Sequence, residues 1–189
     1  DPATELLQHQ VDNRMRGQSK ASIASDLASI YLMDRQPDRA LAAINASRQP
    51  RLPKEVALER RLLEAAAHRD MGRFDHAIEL LEGINGKEAA SIRADAFWRD
   101  RKWPQAADEL ASMIPPAEAA SESDAPLVLK AAIAGRMAKK LGLLSSLRDG
   151  YADLFKNTEN ETSFDLITSQ TDISGAALSE AVRRLADAP

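Results

Sequence analysis

The side chains best equipped for chemistry are few and poorly grouped. Three histidines, His9, His68 and His76, are the candidate metal ligands, but His68 and His76 lie eight residues apart, with no i, i+4 partner and no HExxH. No metal site is expected, and the histidines read as surface or packing rings. The chain has no Cys, which removes thiolate ligands, thiol nucleophiles and a disulfide framework together. Carboxylates abound, Asp108-Glu109 and Glu159 with Glu161 among them, yet they fall on faces and loops expected to be solvated, whereas acid–base catalysis needs a concave, partly desolvated pair. Ser121-Glu122-Ser123 and Ser145-Ser146 lack a Gly-x-Ser-x-Gly elbow, and Gly83-Ile84-Asn85-Gly86 reads as a helix stop rather than a phosphate cradle. The expectation is a chain that is not an enzyme and needs no cofactor.

The basic doublets Arg60-Arg61, Lys139-Lys140 and Arg183-Arg184 share their helices with Asp and Glu, and 25 Lys plus Arg stand against 29 Asp plus Glu, a formal charge of -4. Without a basic excess, nucleic acid is not expected as a partner. The charge is uneven, with 9 basic and 6 acidic side chains over 34–73 but 3 basic and 7 acidic over 150–189.

Composition dictates how such residues are carried. There are 34 Ala and 22 Leu against 19 Val, Ile and Thr together, so helix formers far outnumber residues that favour strands, and an all-α fold follows. Hydrophobic residues at 44% and charged ones at 29% suit a packed globular chain. No apolar run approaches the roughly 20 residues of a membrane-spanning helix, so no membrane insertion is expected. The opening Asp1-Pro2-Ala3 has neither an initiator Met nor a signal-peptide profile, which suggests a piece of a longer, bacterial-looking protein. Compartment, cytoplasmic or periplasmic, and oligomeric state are left open.

Apolar spacing of three and four, as in Ile23, Leu27, Ile30, Tyr31 and in Leu58, Leu62, Leu63, Ala66, marks one-sided helices throughout. Breaks at 16–19, 35–37, 49–53, 85–86 and 115–126 divide helices expected near 3–16, 21–34, 37–48, 54–71, 74–84, 87–100, 103–114, 126–140, 143–157 and 174–187. Short connections make neighbours antiparallel hairpins. The segments 31–40, 68–77 and 97–106 superpose without a gap, each ending in Ala, and each Ala is followed by the same inward face: Leu41 and Ile44, Ile78 and Leu81, Ala107 and Leu110.

On Gly72, Phe74 and Ala77, on Trp103 and Ala106, and on Tyr31 and Ala40, the chain resembles the tetratricopeptide repeat family over about 21–156. The spacing is loose, 37 from Ala40 to Ala77 and 29 from Ala77 to Ala106, and a weaker fourth unit is laid on Ala134-Gly135 and Leu141-Gly142 with Leu144 and Leu147. The resemblance implies an all-α, right-handed solenoid of stacked hairpins. It forms a single domain, 1–189, with units at 21–53, 54–86, 87–115 and 126–157 and a C-terminal cap at 158–189. Each hairpin buries its apolar face only by stacking on its neighbours, and the terminal helix covers the exposed end.

The resemblance also implies a function. First helices line the concave face, which here would carry Ser25, Ser29 and Met33, then Leu62, Arg69 and Asp70, then Asp95, Trp98 and Arg99, then Arg136, Lys139 and Lys140. Trp98 is of interest because Phe97 occupies the packing position and a helix cannot turn both inward; burial by the next hairpin or by 115–125 is the competing role. The family's Lys and Asn clamp for peptide carboxyl termini is not reproduced. The expectation is a non-catalytic interaction or scaffolding module whose groove residues Arg69, Trp98, Arg99, Arg136 and Lys140 favour a protein or peptide with acidic residues around an apolar anchor. A regulatory sensor or an enzyme's helical accessory domain is the alternative. The acidic tail, with Glu159, Glu161, Asp165 and Asp172, is a potential internal occupant of that groove.

Overall fold

The computed structural model describes Glu5, His9 and residues 17–169, which are predominantly helical with no strand among them. The backbone clusters into two compact units, Asp1–Arg99 and Asp100–Pro189, a boundary that falls inside the third sequence unit. The expected helices near 3–16 and 174–187 lie outside the described residues, apart from Glu5 and His9, both helical.

In the first unit, α1 (Gly17–Met33) buries Ala21, Ala24, Leu27, Ala28 and Tyr31, a stripe spaced by three and four. It begins four residues ahead of the expected start, so Gly17, Gln18 and Ser19 are helical rather than a break. α2 (Pro37–Ala46) opens on proline, whose fixed φ suits a first helical position, and buries Ala40, Ala43 and Ile44. α3 (Lys54–Asp70) supplies Leu62, Ala65, Ala66 and Ala67, and α4 (Phe74–Leu80) supplies Ala77. α4 stops short of the expected residue 84 because the chain turns through Gly83 at φ 74, a conformation glycine adopts without a Cβ penalty. α5 (Lys87–Arg99) buries five residues, four of them Ala. α1 packs on α2 and α3, α2 on α3, α3 on α4 and α5, and α4 on α5. The alanines let these helices approach closely.

The second unit holds α6 (Trp103–Met113), α7 (Ala125–Met137), α8 (Leu141–Tyr151) and α9 (Glu161–Thr168), with 3₁₀ turns at Ala117–Ala119, Glu122–Asp124 and Ala152–Phe155. α7 packs on α6, α8 and α9. Tyr151 Oη donates to Pro115 O at 2.6 Å, tying the 115–125 connection to the end of α8. The sequence shows only a short apolar patch where α9 forms; the helix is held by Phe164, whose ring stacks on Phe155 at 4.0 Å, and by buried Ile167.

One local device recurs in both units. Arg35, Gly72, Arg101 and Lys139 have φ of 55, 74, 57 and 55, and each stands five residues before Ala40, Ala77, Ala106 or Leu144. Gln36 N–H returns to Tyr31 O at 2.8 Å, Arg73 N–H to His68 O at 2.9 Å and Lys140 N–H to Gly135 O at 2.8 Å, the six-to-one bond of a left-handed helix stop. The gap-free alignment of the sequence segments therefore has a backbone counterpart.

Candidate partner-binding site

The candidate site of the first unit is built from the C-terminal ends of α1, α3 and α5. Arg69 and Asp70 close α3 and Arg99 closes α5, positions where the helix dipole favours cations. Arg69 meets Asp70 at 2.9 Å and Asp95 at 3.4 Å, while Arg99 meets Asp95 at 3.0 Å and Asp70 at 3.4 Å. The result is a quartet of alternating charge, with the two carboxylates each shared between two guanidinium groups. It opens on a concavity of about 540 Å³ lined by Leu32, Met33, Arg35, Pro37, Arg69, Asp70 and Arg99. Met33 is 83% exposed at its rim, and Arg35, exposed and held in the left-handed turn, adds a third cation.

Of the residues singled out by sequence, Arg69 and Arg99 are brought together here. Trp98 is half-buried, as is Phe97, so the two rings are not divided into one inward and one outward. Ser25 and Leu62 are buried, and Ser25 Oγ donates to Ala21 O at 3.1 Å, so neither is a groove-facing residue. This corrects the strip. The helix turns those positions toward α1's own stripe and toward the α3–α5 cluster, where burial outweighs exposure. Arg136 and Lys140 belong to the second unit and have partners there. Arg136 Nε donates to Ile167 O at 2.7 Å and its Nη2 to Ser169 O, at the end of α9, and Lys140 Nζ pairs with Asp108. In the acidic tail, Asp165 meets Arg148 at 3.8 Å and Glu161 accepts the Asn157 N–H at 2.8 Å; Asp172 is outside the described residues.

No family model, curated protein or solved structure matches the chain. The chemistry must be read from the chain itself. Among the described residues no group of three or more His, Cys, Asp or Glu is placed to hold a metal ion, and no helix is long and apolar enough to cross a membrane.

Arg60 was not legible in the sequence, and His68, expected as a packing ring, carries a contact with His76 that the sequence did not show. Arg60 is 6% exposed and donates to Ala21 O at 3.0 Å, Ser47 Oγ at 2.9 Å and Ile44 O at 2.6 Å, joining α1, the end of α2 and α3. In sequence it looked like half of a solvated doublet, and only its position on α3's inward side could have hinted otherwise. His68 is 7% exposed, its ring edge-on to His76 at 4.3 Å, and its Nδ1 has no hydrogen-bond partner among the described residues. Burial first, and then the neighbouring His76, hold His68 below the usual imidazole range; Glu64 opposes this and Arg73 adds to it.

Proposed function

We propose that the chain is a non-catalytic protein-interaction module, a tetratricopeptide-like right-handed solenoid that binds an acidic peptide or protein segment with an apolar anchor. The observation that carries this is the Arg69–Asp70–Asp95–Arg99 quartet at the mouth of a concavity that also holds Arg35 and the apolar Leu32, Met33 and Pro37. Two carboxylates hold two guanidinium groups in fixed orientation, and a pre-ordered fork loses less entropy on meeting a ligand carboxylate. Arg35 leaves the local balance positive, three cations to two anions, while Met33 gives a flexible apolar wall. The stacked-hairpin architecture is supported by the shared turn at Arg35, Gly72, Arg101 and Lys139 and by the packing of alternate helices, α1 on α3 and α3 on α5.

Selection from a random peptide library on the immobilised chain tests the reading, followed by calorimetric titration of the best binders. Peptides pairing Asp or Glu with a large apolar residue are expected. Their affinity should fall at least tenfold in Arg35→Glu with Arg99→Glu and should weaken with added salt. Enriched peptides lacking acidic residues, or indifferent to both substitutions, would remove the cavity from consideration.

A further inference from the structure

We propose that His68, packed against His76, forms a pH-responsive joint of the α3–α4 hairpin, in which a proton arriving on His68 opens the C-terminal turn of α3. The argument begins with register. His68 stands nine residues before Ala77 and His76 one before it, the places that Tyr31 and Arg39 hold relative to Ala40. In the first hairpin the Arg39 guanidinium lies over the Tyr31 ring at 5.4 Å, a cation on a neutral aromatic. In the second, His76 and His68 meet edge to face at 4.3 Å in the same two positions.

The two rings differ in what they can tolerate. His76 is half-exposed, and its Nδ1 faces Glu79 Oε2 at 3.4 Å, so a proton there has water and a carboxylate to meet. His68 has neither at Nδ1. The buried, unpartnered Nδ1 is accommodated at least cost as a lone pair, with the neutral ring's proton on Nε2, because a buried N–H without an acceptor is among the rarest groups in folded proteins. Protonating His68 would put such an N–H in that place and a cation against the His76 ring.

The other charged groups around His68 do not relieve this. Glu64 on its own helix favours the charged form and Arg73 in the turn opposes it. Among the elements packed on α3, the ionisable groups nearest in register are engaged elsewhere: Tyr31 of α1 with Arg39 of α2, and Asp95 and Arg99 of α5 with Arg69 and Asp70. Burial and the neighbouring His76 therefore both disfavour a proton on His68.

The output of the joint is local. His68 O accepts Arg73 N–H at 2.9 Å, Arg69 O accepts Gly72 N–H at 3.0 Å and Ala67 O accepts Met71 N–H at 3.0 Å, so the bonds that stop α3 are anchored at His68 and its two neighbours. Arg69 and Asp70 ride on that same turn. Acid release of the turn would disperse the charged quartet; that consequence for binding rests on the function proposed above, whereas the joint does not. Because the folded-state pKa of His68 lies below its unfolded-state value near ~6.5, the stabilisation from keeping it neutral is complete above that pH and is lost as the pH falls toward the folded-state value.

Two measurements on the whole chain decide the matter. Imidazole NMR titration of the wild type should place the His68 transition below about 6.5. Hydrogen exchange at the Met71, Gly72 and Arg73 amides, corrected for intrinsic rates, should quicken roughly three- to tenfold between about pH 7.5 and 5.5. The change should vanish in His68→Phe, which installs the ring type that Phe97 has at this register in the third sequence unit. A His68 transition at or above the ordinary imidazole value, or the same acid gain in His68→Phe, overturns the joint. If His68→Phe does not fold, the wild-type titration alone carries the decision. Loss of peptide affinity at acid pH without any change in exchange would count against the joint and leave the cavity standing.

Discussion

Arg69 and Arg136 stand at the same distance from a left-handed turn, three residues before Gly72 and Lys139, and do different things. Arg69 faces two carboxylates beside an open concavity, whereas Arg136 reaches the carbonyls of Ile167 and Ser169 where α9 ends. A guanidinium turned to side-chain acids at a cavity mouth is available to a ligand that competes for or extends the network. One committed to the negative end of a helix is part of the fold. Position relative to the turn therefore sets where a side chain starts, and the neighbouring element sets its role. Without α9, Arg136 would have been indistinguishable from Arg69.

Arg60 gives the comparison its extreme case and the largest expected effect. Arg60→Met should cost about 3 to 4 kcal/mol, read from urea unfolding, because it strips buried acceptors on α1 and α2 of a charged donor. A loss under about 1 kcal/mol would mean water replaces the guanidinium. Arg136→Met should follow at about 2 to 3 kcal/mol, while Arg69→Met should change stability by less than about 1 kcal/mol and act instead on peptide affinity. If both variants lose the same stability, the distinction between the two arginines fails.

A second contrast concerns size. Tyr31 and His68 oppose Ala40 and Ala77 in register, but the fourth sequence unit puts Gly135 where the rings stand and Leu144 in place of the alanine. A Cβ at Gly135 would come within 3.2 Å of Leu143 Cδ2 and 3.4 Å of Leu144 Cδ2, so the large partner has moved to the other helix. Ala77→Leu, placing two large groups in one contact, should destabilise by about 2 kcal/mol through overpacking, seen as a lower melting temperature. An unchanged melting temperature would sink the assigned register.

The smallest effect separates the four turns. Glycine already occupies the left-handed position at Gly72, while Arg35, Arg101 and Lys139 hold it at a steric cost. Lys139→Gly should stabilise the chain by about 0.5 to 1 kcal/mol, and Gly72→Ala should destabilise it by a similar amount. The two signs, measured together by thermal unfolding, check that the turns are equivalent.

Helix content and the hairpin turns were legible in the residues because each rests on local physics: propensity, a 3.6-residue period and a left-handed residue four positions after the ring of Tyr31, His68 or Phe97. The alignment of 31–40 with 68–77 alone marks two of the four turns. α9 was not legible, since Glu161-Thr162-Ser163-Phe164-Asp165-Leu166-Ile167-Thr168 is short and carries three β-branched residues, and its helix depends on Phe155 and on Arg136, 31 residues before Ile167. The candidate site was half legible. The sequence by itself placed Arg69 and Arg99 at helix ends, one position apart in register, but tertiary structure alone decided that Asp70 and Asp95 would be shared between them, that Ser25 and Leu62 would turn inward, that Arg60 would be buried among carbonyls, and that His68 Nδ1 would have no partner among the described residues. Long polar side chains choose their partners from whatever packing brings within hydrogen-bond reach, and packing is a property of neighbours distant in the chain.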